Sequence, residues 1–300
     1  MPIDVYGLGQ CSIDYIGTID SFPPPDVKCE FSNLMIHGGG PVATALVALA
    51  RWGIPCYFAG MRGDDDFGGM IERSLFEEGI NTEGMVVRRG GDSQFAFIVA
   101  EPSVARRTIF WRRPIGTTIQ PEELDKEVIA GSKIIHTDGL FTEASILACK
   151  TAKDAGVRVV VDAGTLREGM LDIAKLSDYF IASQSFARSL VEGDDPVEAC
   201  RILGEMGPSV TAVTLGHGGY VALAEGALIR KSAYRVDAVD TTGCGDVFHG
   251  GFIYGLLQGW SYEKCFDCAA WSAARVSLQQ GGRAGIPTLK ELKNRGYGDS

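Results

Sequence analysis

Residues Asp240–Phe252 read DTTGCGDVFHGGF, a stretch that surrounds one acid, Asp246, with four glycines. Glycine lets a backbone approach a ligand closely and reach positive φ, but it loses more entropy on folding than other residues. The apolar pattern that follows predicts a helix starting near Asp246, with the N–H groups of Gly243, Cys244 and Gly245 at its amino end. Such groups have no carbonyl partner within a helix, and together with the helix dipole they form an anion site.

The acid in this stretch has two interpretations. Asp246 is compatible with a simple N-cap, because the helix dipole stabilises a carboxylate there. A cap needs no flanking glycines, however, whereas a phosphate that approaches the backbone does. A transferred phosphoryl group also needs an acceptor hydroxyl whose proton has somewhere to go, and a carboxylate can take it. The stretch therefore favours a phosphate site beside a general base.

A second glycine cluster stands near the amino terminus, where residues 37–53 read HGGGPVATALVALARWG. Gly38, Gly39 and Gly40 either bring backbone next to another group or form a tight turn before a core helix. Pro41 is well placed to start that helix. Both interpretations predict a turn followed by a buried helix.

A partial dinucleotide motif precedes this cluster, in GLGQCSID over residues 7–14. The third glycine is replaced by Ser12, and the expected βαβ crossover does not follow, so the match is weak. Asp14 is the more informative residue, because a carboxylate can hold a polyol through paired hydroxyls. The hypothesis that the protein is a nicotinamide oxidoreductase depends on this motif alone.

Composition indicates an α/β protein with one large core. The chain has 300 residues, of which 45% are hydrophobic and 22% charged, and its formal net charge is −10. Nucleic acid and anionic membranes attract the opposite charge, so neither is an expected partner. The start has no basic leader, and the longest apolar run stops at Arg51, short of a membrane helix. Together with eight scattered cysteines, these features predict a cytoplasmic protein with reduced thiols.

Two of the cysteines, Cys265 and Cys268, form a C-x-x-C pair. A zinc site needs two more ligands at matching spacing, and a redox motif needs a preceding thioredoxin-like strand. The helical periodicity around the pair favours buried structural cysteines instead. The four histidines also lack metal-ligand spacing, so we expect hydrogen-bonded loop or core positions for them.

The order of elements predicts an α/β fold with a mostly parallel central sheet covered by helices on both faces. Helices are predicted over 44–52, 67–78 (capped by Asp66), 143–155 and 197–206, and from near 246 and 261. Strands are predicted over 3–9, 133–136, 157–162, 178–182 and 209–215, followed by a hairpin over 220–230. Alternating stretches at 14–19, 28–36, 94–100 and 107–111 indicate two further strand pairs. We therefore expect a single domain, 1–300, with a small discontinuous β lid from about 12–36 and 93–113.

Two stretches resemble a known family. DTTGCGDVFHGGF matches the D-T-x-G-A-G-D signature of the PfkB or ribokinase-like family of carbohydrate and nucleoside kinases, and residues 38–68 look like its N-terminal signature. The resemblance covers essentially the whole chain. It implies a ribokinase-like fold and ATP-dependent phosphorylation of a hydroxyl, primary in the expected case, on a small carbohydrate such as ribose or fructose.

The resemblance also assigns roles at the catalytic stretch. Asp246 matches the catalytic base of the family, and Gly243, Cys244 and Gly245 match its anion hole. Cys244 stands where alanine is usual, but the role belongs to the main-chain N–H, so we expect activity to survive.

Sugar-binding positions follow from the same comparison. Asp14, Gly39 and Gly40 fall where family members hold sugar hydroxyls, and Thr44 replaces the usual asparagine, which alters one contact. Arg107 in the lid is a further candidate substrate residue.

Cofactor positions are implied as well. VTLGHGGYVAL resembles the nucleotide segment and places Thr214, Gly216 and Gly219 near ATP, while the stretch around Gly282 resembles the one that closes over adenine. The resemblance also implies a site for a monovalent cation, such as K⁺, at Asp240 and the carbonyl of Thr242.

The N-x-x-E motif that the family uses near Mg²⁺ is changed. Ser183 and Phe186 stand in its place, so the Mg²⁺ ligands cannot be transferred, and we expect an ion held mainly by the phosphates of ATP. This departure keeps a second class open, a sugar- or nucleotide-sensing protein that binds without catalysis.

Substrate identity stays open at this point. A group of cations lies in or near the expected lid: Lys28, Arg106, Arg107, Arg112 and Arg113. They either hold an anionic group of the substrate or are solvated surface charges. Ribose, fructose, a ketodeoxy or sulfonated sugar and a nucleoside are all compatible with the motifs. In relatives the lid often forms a dimer interface, so a homodimer is expected.

Overall fold

Two β-sheets organise the chain. The computed structural model describes residues 2–101 and 106–298, with the backbone alone for residues 106 and 107. The strands of this part of the chain are β1 (Val5–Leu8), β2 (Ser12–Thr18), β3 (Asn33–Gly39), β4 (Cys56–Gly63), β5 (Asn81–Arg88), β6 (Phe95–Glu101), β7 (Arg106–Arg112), β8 (Ile134–Thr137), β9 (Arg158–Ala163), β10 (Tyr179–Ser183), β11 (Val210–Thr214), β12 (Tyr220–Ala224) and β13 (Ala227–Lys231). The large sheet has the order β13-β12-β11-β10-β9-β8-β1-β4-β5, and the small sheet has the order β3-β2-β6-β7.

Helices cover both faces of the large sheet. They are α1 (Pro41–Arg51), α2 (Asp66–Glu77), α3 (Lys126–Gly131), α4 (Thr142–Asp154), α5 (Met170–Ala174), α6 (Gln184–Leu190), α7 (Pro196–Met206), α8 (Cys244–Leu257), α9 (Tyr262–Val276) and α10 (Leu289–Asn294). In the described ranges, none of these helices is both long and apolar enough to cross a membrane.

The large sheet is parallel from β11 through β5 and ends in the antiparallel hairpin of β12 and β13. Its central strands contain buried apolar runs, such as residues 159–161 of β9, because each face packs against helices. One apolar cluster contains Leu46 of α1 and Phe252 of α8, and the other contains Ala148 of α4 and Phe180 of β10. The predicted parallel sheet between two helix layers is therefore confirmed.

Two predicted helix starts differ from the structure. The cap of α2 is Asp65, whose Oδ1 accepts a hydrogen bond from the Gly68 N–H at 2.8 Å, and Asp66 is already helical. Helix α8 begins at Cys244 because Gly243 takes a left-handed conformation, with φ of 75°, and turns the loop into the helix.

The small sheet comes from the two regions expected to form the lid. Strand β3 begins at Asn33 and not at residue 28, because the ring of Phe31 lies against the Gly17 backbone, where a methyl group would collide with it. The segment before Asn33 thus covers the sheet instead of extending it. That the chain forms one domain with this sheet as a lid stays a prediction.

The C-x-x-C pair lies in α9. Cys265 and Cys268 are both fully buried in the apolar cluster shared by α8 and α9, as expected for structural cysteines.

Candidate active site

A cavity of about 480 Å³ lies between the small sheet and the start of α8, and we call it the lid cavity. Its polar wall includes Asp14 of β2, Thr44 of α1 and Asp246 of α8. Its apolar wall is formed by the small sheet and includes Ile98 and Trp111. A volume of this size accommodates a monosaccharide or a nucleoside.

The glycine cluster before α1 makes room for an acid. The Ser12 hydroxyl donates a hydrogen bond to Asp14 Oδ1 at 2.9 Å, and a methyl group at position 39 would collide with Asp14 Oδ2. Gly40 has a φ of 98°, and a side chain there would collide with the carbonyl of Gln10. Burial raises the pKa of Asp14 above its usual value. The glycines therefore allow close approach of a carboxylate, which faces the lid cavity.

Asp246 lies in the first turn of α8 and faces the same cavity. Burial and, to a smaller extent, the negative charges of Asp162 and Asp14 raise the pKa of this carboxyl to about 7, whereas His249 and Arg283 oppose the shift. A base whose pKa is close to the working pH transfers protons efficiently. Asp246 therefore has both the position and the pKa of a general base.

The start of α8 offers backbone donors. The Cys244 N–H donates to the Thr241 carbonyl at 3.4 Å, and the Val247 N–H donates to the Gly243 carbonyl at 2.9 Å. Among the described residues, the N–H groups of Gly245 and Asp246 have no backbone acceptor. A side chain at position 245 would meet nothing within 4 Å, so this turn opens to space that an anion can fill.

A second cavity, of about 580 Å³, lies between the β11–β12 connection and helices α8 and α9, and we call it the helix cavity. Thr214, Gly216 and Gly219, the three residues expected near ATP, line it together. Tyr234 and Phe248 add aromatic surface suited to a flat ring. The cavity has the size and the lining that a nucleotide requires.

The start of α8 is a wall shared by the two cavities. Gly243 and Asp246 line the lid cavity, and Cys244 and Gly245 line the helix cavity. Gly282, expected over adenine, lies in the lid cavity instead, with its backbone packed against Gly243. A group that passes between the cavities must therefore cross the amino end of α8.

The proposed cation position at Asp240 is a junction between two loops. Asp240 Oδ1 accepts hydrogen bonds from the Thr242 N–H at 2.9 Å and from its hydroxyl at 2.8 Å, and Oδ2 accepts one from the Gly281 N–H at 2.9 Å. These bonds hold the loop before α8 against the loop after α9. A monovalent cation at Asp240 and Thr242 stays a prediction.

The described residues provide no cluster of three or more acidic, histidine or cysteine side chains that could hold a metal ion. Phe186, at the changed metal motif, is fully buried in the core, and the Ser183 hydroxyl caps α6 by accepting a hydrogen bond from the Phe186 N–H at 3.1 Å. These residues do not fit a protein-held Mg²⁺. An ion carried by nucleotide phosphates is compatible with this arrangement.

The cations Lys28, Arg112 and Arg113 do not belong to the described lining of the lid cavity. Arg112 forms an ion pair with Asp92 at 2.5 Å, and the Arg113 guanidinium lies 4.9 Å from the ring centre of Trp111. Lys28 is exposed on the segment before β3. The side chains of Arg106 and Arg107 lie outside the described residues, so their part in substrate binding stays a prediction.

The sequence analysis did not identify two acids, Asp162 and Asp138, as candidate site residues. Asp162 ends β9, and its Oδ2 lies 3.5 Å from Nδ1 of His249. Asp138 follows β8 and accepts hydrogen bonds from two backbone N–H groups, and burial raises its pKa to about 6. The signal was present, because the carboxyl ends of neighbouring parallel strands meet at one edge of a sheet, where ligands bind.

Two of the four histidines occupy core positions, which is one of the two kinds of position expected for them. His136 and His249 are buried and their rings stack with centres 5.5 Å apart. Burial lowers the pKa of His136 to about 3, so its ring is neutral at physiological pH.

Comparison with known proteins identifies the class. Three solved structures match nearly the whole chain: a "putative ribokinase" from Agrobacterium tumefaciens (TM-score 0.88, 24% identity, covering 98% of this chain and 97% of that one), an Arabidopsis thaliana ribokinase complexed with ribose and ATP (0.84, 20%, 98% and 98%), and an Escherichia coli "putative Ribokinase II" in complex with ATP and Mg²⁺ (0.83, 20%, 97% and 98%). The fold is therefore ribokinase-like, as the sequence predicted.

Sequence comparison then gives the family. The profile of the pfkB family of carbohydrate kinases matches residues 3–289. "Probable fructokinase-6, chloroplastic" of Arabidopsis thaliana is 31% identical over 305 residues, covering 94% of this chain and 78% of that protein. The "ATP-dependent ribose-1-phosphate kinase" of Halopiger xanaduensis is 26% identical over 286 residues, covering 94% of each. The chain belongs to the pfkB family of carbohydrate kinases, so it is a phosphotransferase with an alcohol group as acceptor.

Proposed function

We propose that this protein transfers the γ-phosphoryl group of ATP to a hydroxyl, most simply a primary one, of a small carbohydrate of the ribose or fructose kind. The observation that carries the proposal is the shared wall at the start of α8. Asp246 faces the lid cavity from that wall, and the open backbone of Gly245 faces the helix cavity. A base and an anion site thus stand between two cavities of suitable size.

The chemistry follows from this arrangement. The carbohydrate lies in the lid cavity, where the Asp14 carboxylate accepts hydrogen bonds from its hydroxyls. Asp246 removes the proton of the attacking hydroxyl as its oxygen bonds to the γ-phosphorus, and the bond from that phosphorus to the β-phosphate oxygen breaks to release ADP. The N–H groups of Gly245 and Asp246 stabilise negative charge on the moving phosphoryl group. When bound to ATP, Mg²⁺ neutralises phosphate charge.

Named relatives support the choice of substrates. A fructokinase and a ribose-1-phosphate kinase are among the similar sequences, and solved structures of this fold hold ribose, ATP and Mg²⁺. The described lining of the lid cavity contains two carboxylates, Asp14 and Asp246, and the described cations Lys28, Arg112 and Arg113 are not part of it. The described lining thus offers carboxylate acceptors for the hydroxyls of a neutral sugar and no cation that would pair with a phosphate or carboxylate group.

The test is a coupled assay of ADP release with ATP, Mg²⁺ and a panel of acceptors. The panel contains ribose, fructose, ribose 1-phosphate, a ketodeoxy acid, a sulfonated ketose and adenosine. We expect turnover with ribose or fructose that depends on both substrates, and mass spectrometry then identifies the hydroxyl. Binding of ATP and sugars without ADP release from any acceptor contradicts the proposal and favours a sensor.

A nucleoside is the second candidate acceptor. Trp111 lines the lid cavity and is half exposed, so its ring offers a surface on which a base can stack. In the same panel, a lower KM for adenosine than for either sugar supports this alternative.

We also propose that the protein is a homodimer through the small sheet. One apolar row crosses all four strands in register, from Ile36 through Tyr15 and Phe97 to Phe110, on the face opposite the one that bears Trp111. The exposed fractions of Ile36, Phe97 and Phe110 are 46%, 43% and 54%. A contiguous apolar surface of this kind is typical of a protein interface. We also propose the K⁺ ion that the family resemblance implies at Asp240 and Thr242, and replacing K⁺ with a bulky organic cation in the same assay tests it.

A further inference from the structure

Arg283 is a buried cation without an acidic contact in the part of the chain that the structure describes. Arg283 follows α9 and is 4% exposed, and among the described residues no carboxylate oxygen lies within 4.0 Å of its guanidinium. Burial lowers the pKa of Arg283 only to about 10, so the group carries its charge at neutral pH. Burial of an unpaired charge costs stability, so such a group requires an explanation.

Arg283 forms hydrogen bonds with two residues that line the lid cavity. Its Nη2 donates to the Gly39 carbonyl at 3.2 Å, and its Nε donates to the Thr44 hydroxyl at 3.3 Å. Nη1 lies 3.5 Å from the Ser74 hydroxyl and passes so close to Gly38 that a methyl group there would collide with it. Gly39 and Thr44 both line the cavity, whereas Arg283 lies behind them.

The charge of Arg283 also has counterparts at the cavity. Among the carboxylates that act on it electrostatically, Glu78 has the largest effect, and Asp14 and Asp246, which both line the lid cavity, follow. Reciprocally, the positive charge opposes the upward shift in the pKa of Asp14 and of Asp246. The other charged or titratable groups that face Asp246 are Asp162 of β9 and His249 of α8.

We propose that Arg283 is a positioning residue of the acceptor site, whose buried guanidinium holds the Gly39 carbonyl and the Thr44 hydroxyl in place and balances the charges of Asp14 and Asp246. This inference rests on the proposed function, since the acceptor occupies the lid cavity. The planar fork of arginine fixes two groups at once, and lysine cannot reproduce that geometry. The charge and the geometry therefore make separate contributions that two variants can distinguish.

The experiment compares Arg283→Lys with Arg283→Gln, using whichever of D-ribose and D-fructose gives the lower KM with the wild type. In Arg283→Lys the charge remains and the fork is lost, so we expect the acceptor KM to rise roughly 10-fold, as for loss of a charged hydrogen bond. The acid limb of the pH profile of kcat should stay in place. In Arg283→Gln the KM rises similarly, and the acid limb moves to higher pH, because a cation that favours ionised Asp246 is gone.

The matched control is Arg88→Lys. Arg88 bonds Glu123 and the carbonyls of Thr117 and Thr118, none of which lines the lid cavity, so its replacement should leave both readouts unchanged. An acceptor KM in Arg283→Lys equal to that of the wild type overturns the positioning role. If Arg283→Gln does not fold, Arg283→Lys alone tests that role. An unmoved acid limb in folded Arg283→Gln overturns the charge balance.

A binding measurement separates this inference from the proposed function. The chosen sugar should raise the Tm of the wild type and should do so less at equal concentration in Arg283→Lys, whether or not turnover occurs. Absence of turnover in the wild type, with this difference in Tm intact, contradicts the proposed reaction alone. Equal shifts in Tm for both proteins overturn the role of Arg283 alone.

Discussion

At the scale of single residues, Asp246 is the group on which the proposed chemistry depends. An amide at this position keeps the shape of the side chain but cannot take the acceptor proton. We expect Asp246→Asn to lower kcat by about 10² or more, the contribution of a general base, with little change in either KM. Steady-state kinetics with ATP and the best sugar of the panel give both values.

The control for this variant is Asp178→Asn. The Asp178 carboxylate accepts a hydrogen bond from the Val159 N–H at 2.7 Å, near the opposite edge of the sheet, so its loss affects stability and not proton transfer. Near wild-type kcat in Asp246→Asn contradicts the assignment of the base, provided that the variant contains no contaminating wild-type enzyme.

Burial is the main cause of the raised pKa of Asp246, and the negative charge of Asp162 adds to it. Because Asp162 raises the pKa of Asp246, its negative charge favours the protonated, inactive form of the base. The pKa of about 7 places the acid limb of kcat near neutrality, and activity falls as pH decreases through it. Asp162→Asn removes the like charge, lowers the pKa of Asp246 and should move this limb to lower pH.

A pH profile of kcat from pH 5 to 9 measures the position of that limb. The shift expected for Asp162→Asn is opposite in direction to the one expected for Arg283→Gln, so the two variants check each other. A limb that moves to higher pH in Asp162→Asn contradicts the electrostatic account of Asp246.

At the scale of elements, periodicity predicted most of the large sheet and its helices. Apolar β-branched runs such as that of β9 identified buried strands, and the hairpin of β12 and β13 was confirmed. Strands β4 and β5 were both missed, and β4 was missed because CYFAGMRG mixes aromatic, glycine and charged residues without period-2 alternation or β-branched residues. Its neighbours in the sheet, not its propensity, make it a strand.

Some residues of the candidate site were likewise predicted from the sequence, and others were not. Local motifs predicted Asp14, Gly39 and Asp246, because each lies within a few residues of a glycine cluster. Arg283 follows Gly281 and Gly282 but was not identified as a site residue, since its role depends on contact with Thr44 across 239 positions of sequence, which no local pattern shows. Long-range contacts of this kind are set by packing.

The start of α8 makes a prediction about the nucleotide. Cys244 is half-buried there and lines the helix cavity, whereas the other described cysteines apart from Cys29 are buried. In a Cys29→Ser background, ATP should slow alkylation of Cys244 by N-ethylmaleimide about 10-fold when present at ten times its Kd. Peptide mass spectrometry locates the label, and the background with Cys244→Ala serves as the unlabelled control. Equal rates with and without ATP place the nucleotide elsewhere.

At the scale of the whole molecule, the two cavities and the small sheet form one arrangement. The sheet covers the lid cavity with one face, which bears Trp111, and presents the apolar row of Ile36, Phe97 and Phe110 with the other. Exposed apolar surfaces of this kind are typical of sites that bind a ligand or another protein. Substrate and a second copy of the chain would cover one face each, so assembly would hold the lid near the site.

The last prediction tests this assembly. Phe97→Glu combined with Phe110→Glu places two charges in the centre of the apolar row, so we expect a wild-type dimer to become a monomer, as measured by light scattering during size-exclusion chromatography at tens of µM. Phe76→Glu is the matched control, because Phe76 is 71% exposed on α2 and does not belong to the row. If the lid depends on the partner copy, the monomer should also show a higher sugar KM, since fewer contacts order the strands that line the cavity. A wild type that is monomeric at these concentrations, or a double variant that stays dimeric, contradicts the interface.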